Sequence, residues 1–321
     1  MNDKKITLFL LNESFFYELK NDSGTRVIYK DKVYKNRIKS FLFKACFSLS
    51  VNSLFPMPLK RFWFRSLFRK AYHPDSKNIF IFYEWWYDSD FMQWLKRKHK
   101  DVTTVLYLDD TVGMFRKTVR RASMDKVRKE FDFIFSYDAD DVKQYGFRYT
   151  SAFFSKYEQK DLPDAPKSDI CFIGLAKDRG EFITRIFNRL NGSCDCNFVI
   201  CSNRKDLHFP DGIRVLDKTM PYTEYLANEV NSNCILEILK EDTVSPTFRC
   251  WEAVYYNKKL LTNWKGIKGF SYYDPRFMRY FEDENDIDVG FISDKTKPDY
   301  QYRNENSPSA FISKVKSLVE P

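Results

Sequence analysis

A stretch at residues 169–180 combines residue types that can hold a phosphate group. It places Gly174, Lys177 and Arg179 between an apolar run and a segment with helical spacing. The N-terminus of a helix attracts anions, and Lys or Arg side chains add charge-assisted hydrogen bonds. An ordinary strand-to-helix turn with Asp178 as N-cap and two solvated cations explains the same residues, so both interpretations stay open.

A second stretch, residues 245–263, offers a carboxylate and a guanidinium on one helix. Thr247 can cap this helix, and Arg249 and Glu252, three residues apart, share a face of it. A carboxylate near a helix start can bind a ribose diol while a neighbouring Arg binds phosphate. The alternative is a local ion pair between Arg249 and Glu252 on a surface helix.

Acidic side chains follow several apolar runs that read as strands. The carboxyl ends of parallel strands gather at one edge of a sheet, where α/β proteins bind ligands. A carboxylate that faces an acceptor hydroxyl can accept its proton. The candidates for catalysis are Asp109, Asp138 and Glu237, and those for the acceptor side are Glu84 and Asp110.

An Asp-x-Asp pattern at Asp88 and Asp90 raises the alternative of a metal site. Such a pattern after a strand can hold a divalent cation on a diphosphate. Asp88 or Ser89 as the N-cap of the next helix explains the pattern without metal. The three histidines lie far apart in the sequence, and we expect no bound metal.

The surrounding elements alternate between apolar runs and helical patterns. Runs that are apolar on both faces suit buried parallel strands, and their alternation with helices indicates βαβ units. A linker with two prolines at residues 160–167 separates two such series. We therefore expect an α/β protein with two Rossmann-like domains, residues 1–160 and 161–321. A final helix should begin after Ser307, which can cap it, and run to about Leu318.

Composition and charge narrow the choice of partners. The 321 residues include 31 Phe, 20 Tyr and 6 Trp, which excludes a disordered chain. Residues 1–160 hold 31 Lys and Arg against 19 Asp and Glu, whereas residues 161–321 hold 22 against 25. The excess positive charge therefore lies in the first half, which should meet any anionic surface.

The segment 30–70 concentrates that charge. It holds eleven Lys and Arg and one acid, Asp31, with aromatic and aliphatic residues between them. Cations interleaved with aromatics suit an anionic membrane face or a nucleic acid. The alternative is that the apolar residues belong to the core and the cations are solvated. No apolar run reaches the roughly 20 residues of a membrane span.

The segment 245–263 resembles the donor-site signature of GT-B glycosyltransferases, with a small-residue loop, a helix that carries Glu-Ala, and a short strand. The resemblance implies that Glu252 binds the nucleotide ribose and that Lys177 and Arg179 lie near the diphosphate. Through residues 131–141 and 234–238, the chain is also similar to bacterial lipopolysaccharide and capsule glycosyltransferases.

The resemblance implies two domains facing a cleft, with a nucleoside-diphosphate sugar held by residues 161–321 and the acceptor mainly by residues 1–160. We expect a lipid-linked saccharide acceptor, no cofactor, and a position at the inner face of the cytoplasmic membrane. No single base stands out, which favours retention at the anomeric carbon. The alternatives are a nucleic-acid-binding protein that uses the basic first half, and a metal-dependent GT-A transferase that uses Asp88 and Asp90.

Overall fold

The computed structural model describes residues 4–11, 14–21, 24–54, 57–119, 123–176, 178–202, 208–239 and 245–319. The chain divides into two compact units. Unit 1 comprises Met1–Ser155 with Asn304–Pro321, and unit 2 comprises Lys156–Arg303. The predicted linker, residues 160–167, lies within unit 2, shortly after this division.

Unit 1 contains a six-stranded sheet in the order β2-β1-β3-β4-β5-β6, in which every neighbouring pair is parallel. The strands are β1 (Lys4–Leu10), β2 (Thr25–Tyr29), β3 (Lys77–Tyr83), β4 (Thr103–Leu108), β5 (Phe133–Ser136) and β6 (Arg148–Tyr149). Alternate residues of β3 enter different cores: Phe80 and Phe82 pack on one face of the sheet, Ile79 and Ile81 on the other. Burial on both faces explains why the central strands are almost entirely apolar.

In the described part of unit 1, seven α-helices precede the last strand. They are α1 (Arg37–Cys46), α2 (Leu49–Leu54), α3 (Arg61–Ala71), α4 (Ser89–Lys98), α5 (Val112–Thr118), α6 (Met124–Glu130) and α7 (Ala139–Tyr145). Side-chain caps fix several starts: Asp88 accepts from the backbone N–H of Phe91 at 2.9 Å, and Thr111 caps α5. Short 3-10 helices lie at Ser14–Asn21, Pro58–Lys60 and Glu84–Trp86.

Unit 2 repeats the architecture with a second parallel sheet, in the order β12-β11-β10-β7-β8-β9. Its strands are β7 (Ser168–Leu175), β8 (Cys196–Cys201), β9 (Ile213–Leu216), β10 (Ser232–Glu237), β11 (Lys259–Thr262) and β12 (Met278–Tyr280). Its helices are α8 (Gly180–Leu190), α9 (Tyr222–Val230), α10 (Phe248–Tyr255) and α11 (Val289–Ser293), with 3-10 helices at Gln159–Asp161, Ile267–Gly269 and Glu284–Asp286.

The last helix, α12 (Pro308–Leu318), begins where Ser307 accepts from the backbone N–H of Ala310 at 3.1 Å. It packs in unit 1, where the ring of Phe311 stacks on that of Phe153 with centroids 4.4 Å apart. The sequence division at residue 160 assigns this helix to the second domain, whereas its apolar face completes the core of the first.

The predicted α/β class with two parallel sheets is confirmed. Among the helices of the described residues, none combines the length and hydropathy that a membrane span requires.

Candidate functional site

The carboxyl end of β7 and the helix after it hold the first cation of the candidate site. Arg179 occupies the N-cap position of α8. Its Nη2 donates to the carbonyl oxygen of Leu175 at 2.8 Å, and its Nη1 donates to the carbonyl oxygen of Ile238, just beyond β10. The guanidinium therefore lies where the carboxyl ends of two neighbouring strands meet. The other predicted cation, Lys177, lies outside the described residues.

Arg249, in the first turn of α10, brings a second guanidinium to the same edge of the sheet. Its Nη2 donates to the carbonyl oxygen of Ile173 in β7, and its Cζ lies 5.7 Å from the ring centroid of Phe172. A Cβ on Gly174 would lie 3.3 Å from that ring and 3.7 Å from Nη2 of Arg249. A side chain at this position would therefore crowd the Phe172 ring, whereas its contact with the guanidinium would be an ordinary one.

Arg179 and Arg249, the arginine pair, place two positive charges near one another. Burial and the charge of Arg249 lower the pKa of Arg179. Burial acts to lower the pKa of Arg249, but the neighbouring Tyr225 hydroxyl and the carboxyl groups of Glu229 and Glu252 raise it above the usual value. Both guanidinium groups stay charged at neutral pH. An anion that contacts both would offset their repulsion, which suits a phosphate group.

Glu252 is fully buried on α10. It accepts hydrogen bonds from the hydroxyl of Tyr222 at 3.0 Å and from that of Tyr225 at 2.8 Å. Burial raises its pKa. In this arrangement the two tyrosines, both on α9, occupy the carboxylate, and a ribose diol would reach it only after one of them moves. The ribose contact of Glu252 stays a prediction.

A second buried carboxyl group, Glu229 of α9, lies near both Arg249 and Glu252. Its Oε1 is 3.3 Å from Nε of Arg249, but neither atom makes an aligned hydrogen bond within the described residues. Burial, and then the charge of Glu252, raise the pKa of Glu229 well above its usual range. Because one guanidinium faces two buried carboxyl groups, we infer that one of them holds a proton at neutral pH.

Glu237, the catalytic candidate of unit 2, ends β10 with its carboxylate fully buried. The hydroxyl of Thr247 donates to its Oε1, and the hydroxyl of Thr262 donates to its Oε2 at 2.6 Å. The thiol of Cys250 lies 3.5 Å from Oε2. Glu237 thus joins the end of β10 to the start of α10 and the end of β11. Thr247, a predicted donor contact, also caps α10.

Unit 1 brings Glu84 and Asp109, the carboxyl pair, together at the carboxyl ends of β3 and β4. Burial, and then the charge of Asp109, raise the pKa of Glu84 to about 9. Burial raises the pKa of Asp109 to about 6. Within the described residues, Oε2 of Glu84 and Oδ1 of Asp109 have no aligned hydrogen-bond partner. A proton held between the two carboxyl groups accounts for this arrangement.

The remaining acidic candidates of unit 1 lie at the same sheet edge but have local hydrogen bonds. Oδ1 of Asp110 accepts from the backbone N–H of Thr111 at 2.8 Å. Asp138 is buried after β5 and caps α7, accepting from the backbone N–H of Asp141 at 2.9 Å. A capping role thus explains Asp138, and its catalytic role stays a prediction.

Asp88 and Asp90 pair with a lysine. Asp88 caps α4, as the alternative to a metal site requires, and its carboxylate lies 3.0 Å from Nζ of Lys60. Asp90 lies 2.6 Å from the same Nζ. Within the described residues, no group of three or more His, Cys, Asp or Glu side chains has the geometry of a metal site.

The fold therefore gathers the predicted residues into two sets. Gly174, Arg179, Thr247, Arg249, Glu252 and Glu237 lie near the carboxyl edge of the second sheet, and Glu84, Asp109, Asp110 and Asp138 lie at that of the first. Three residues of α9 were missed from the sequence: Tyr222, Tyr225 and Glu229. Their i, i+3, i+7 spacing, which puts them on one helix face, was the available signal.

No protein-family model matches the sequence, and neither does any curated protein. Solved structures do match. The trehalose-6-phosphate phosphatase N-terminal domain of Candida albicans is 10% identical with a TM-score of 0.56, covering 100% of this chain and 98% of that one. An alpha-glucosyltransferase in complex with UDP and a 13-mer DNA is 14% identical with a TM-score of 0.55, covering 98% and 99%. These likenesses, together with the two parallel sheets, show that the chain has a two-domain α/β fold of the GT-B type.

Proposed function

We propose that the protein is a glycosyltransferase that moves a sugar from a nucleoside-diphosphate sugar to a saccharide acceptor. The observation that carries this proposal is the arginine pair, held by main-chain carbonyls at the carboxyl ends of β7 and β10. Open α/β sheets bind ligands at this edge, and the nearby N-terminus of α8 adds a partial positive charge. The alpha-glucosyltransferase that shares the fold was solved with UDP, which supports the same class of donor.

The arginine pair would act on the leaving group. As the bond between the anomeric carbon and the diphosphate oxygen breaks, negative charge grows on that oxygen, and fixed cations stabilise it. Arg249 is well fixed, because its side chain is 18% exposed and lies between the rings of Phe172 and Tyr225. We therefore propose transfer without a bound metal or other cofactor. Gly174 and Thr247 would line the same site.

Unit 1 would supply the acceptor side. We propose a lipid-linked saccharide acceptor and a role in the synthesis of bacterial lipopolysaccharide or capsule, at the inner face of the cytoplasmic membrane, as the sequence resemblance implies. We also propose retention at the anomeric carbon. An inverted product would instead assign Asp109, with its pKa of about 6, as the base that takes the acceptor proton.

Calorimetric titration with UDP, GDP, CDP and ADP tests the donor site. We expect one nucleotide to bind, and EDTA to leave its affinity unchanged. Arg179→Gln should weaken that binding about 10- to 100-fold, because a hydrogen bond to a charged group usually contributes about that much to affinity. Arg185→Gln is the matched control, because Arg185 lies on the same helix but pairs with Glu284 at 3.0 Å.

Two results would contradict the proposal. Failure of all four nucleotides to bind the folded protein would remove the donor site. Equal affinity of the wild type and Arg179→Gln would show that the arginine pair does not hold the diphosphate. A loss of affinity on addition of EDTA would overturn only the metal-independent mechanism.

A further inference from the structure

Two helices of unit 1 present large apolar side chains to solvent. Ile38 and Phe41 on α1 are 72% and 71% exposed, and Phe62 on α3 is 81% exposed. Leu42 and Leu59 are also exposed. These residues account for five of the twelve large hydrophobic side chains that are exposed in the described chain. Single apolar residues on a surface are ordinary, but a cluster of them marks an interaction site.

The exposed residues occupy neighbouring elements. Phe43 of α1 and Trp63 of α3 are in ring contact, with centroids 5.6 Å apart. The ring of Tyr34 contacts both, at 5.3 Å and 5.1 Å. Phe43 and Phe64 point into the core. The aromatic residues of segment 30–70 are therefore divided between the core and the surface. The sequence offered two interpretations, that these residues form a binding surface or that they belong to the core, and each describes only some of them.

Cations surround the exposed apolar residues. Those whose side chains are exposed are Lys35, Arg37, Lys39, Lys44, Arg61, Arg65, Arg69 and Lys70. No Asp or Glu occurs between Lys32 and Ala71. In the described part of the chain, Arg37, Arg61 and Arg65 form no ion pair with a carboxylate. Lys60 differs, since it is buried against Asp88.

We propose that the α1–α3 surface, formed by the exposed residues of α1, Leu59 and α3, docks on an anionic lipid bilayer. Lys and Arg side chains are attracted to anionic headgroups, while apolar side chains enter the boundary between headgroups and acyl chains. The aliphatic side chains of Ile38 and Leu42 would not be buried against the phosphate backbone of a nucleic acid. Their exposure therefore disfavours a nucleic acid as the partner of this surface. A protein interface would place few charges at its centre. This inference does not rest on the proposed enzyme activity.

Co-sedimentation with vesicles tests the α1–α3 surface. We expect wild-type protein to bind phosphatidylcholine vesicles with 30% phosphatidylglycerol at least tenfold more tightly than vesicles of phosphatidylcholine alone. The double variant Arg61→Gln, Arg65→Gln should bind the anionic vesicles about 25-fold more weakly, at about fivefold for each cation near the headgroups. The double variant Phe41→Ser, Phe62→Ser should also lose at least tenfold.

Matched controls come from other exposed positions of unit 1. Met114→Ser on α5 replaces an apolar side chain that is 45% exposed, and Lys126→Gln with Lys129→Gln removes two exposed cations from α6. Both controls should bind like the wild type. Because every substituted side chain is exposed, all variants should keep the thermal midpoint of the wild type.

Three outcomes would overturn the proposal. The first is absent or equal binding of the wild type and the α1–α3 variants to anionic vesicles. The second is tight binding to duplex DNA that depends on Arg61 and Arg65 but not on Phe41 and Phe62, which would assign the surface to nucleic acid. The third is a dimer in sedimentation experiments that dissociates in the Phe41→Ser, Phe62→Ser variant, which would assign it to a second copy.

Discussion

The carboxyl pair of unit 1 predicts an unusual pH dependence of stability. Glu84 has a pKa of about 9 in the folded protein, because its carboxyl group is buried beside Asp109. An unfolded glutamate ionises near pH 4.3. Between these two values the folded state holds one more proton than the unfolded state, so the free energy of unfolding falls as the pH rises. Glu84→Gln removes the titrating group and should remove this contribution.

The size of the effect follows from proton linkage. One proton of difference changes the free energy of unfolding by about 1.4 kcal/mol per pH unit. From pH 6.5 to 8.0 the wild type should therefore lose about 2 kcal/mol relative to Glu84→Gln. Comparing the two proteins at each pH cancels groups that titrate in this range without interacting with Glu84, such as Lys30, whose pKa burial lowers to about 8. Asp109 does interact with Glu84, and the range begins above its pKa of about 6.

Urea denaturation followed by tryptophan fluorescence measures the difference, because Trp63, Trp85, Trp86 and Trp94 all lie in unit 1. Glu224→Gln, on the exposed side of α9, is the control. It should leave the dependence of the free energy of unfolding on pH the same as in the wild type. A stability difference between wild type and Glu84→Gln that stays constant from pH 6.5 to 8.0 would refute the shared proton.

Two further predictions concern unit 2. Thr262→Val removes the 2.6 Å hydrogen bond to buried Glu237 and should lower the free energy of unfolding by about 1.5–3 kcal/mol; Thr262→Ser, which keeps the hydroxyl, should lose less in the same urea titration. Gly212 has a φ of 100°, and a Cβ there would lie 2.8 Å from the ring of Phe187. Gly212→Ala should therefore lower the thermal midpoint by several degrees, at about 1–3 kcal/mol, whereas Gly269→Ala, which meets no atom within 4 Å, should change it little.

Much of the fold could be predicted from periodicity. The sequence predicts a final helix that begins after Ser307 and runs to about Leu318, and α12 (Pro308–Leu318) has these bounds. Runs that are apolar on both faces can bury all of their side chains only inside a sheet, so the central strands can be predicted from the sequence. The edge strands β9 and β12 are short and partly exposed. They lack that signal, and the sequence does not reveal them.

The sequence identified the types of residue in the candidate site, but it did not predict which of them are buried. Arg249 and Glu252 share a helix face, and from that spacing either a ligand site or a local ion pair is possible. In the structure Glu252 accepts hydrogen bonds from Tyr222 and Tyr225 instead, while Arg249 lies against Glu229. These partners come from a different helix, 20 to 30 residues earlier in the chain, and no local pattern relates them.

The sequence by itself determined the alternation of strands and helices, the helix caps at Asp88, Thr247 and Ser307, and the uneven charge, because each depends on residues close together in the chain. Only the tertiary structure decided which carboxylates are buried, which strand ends meet and which apolar residues of α1 and α3 face solvent. It also placed α12 on the first core, where Phe311 packs on Phe153. Burial and electrostatic coupling are sums over neighbours that are distant in sequence, so they exist only once the chain has folded.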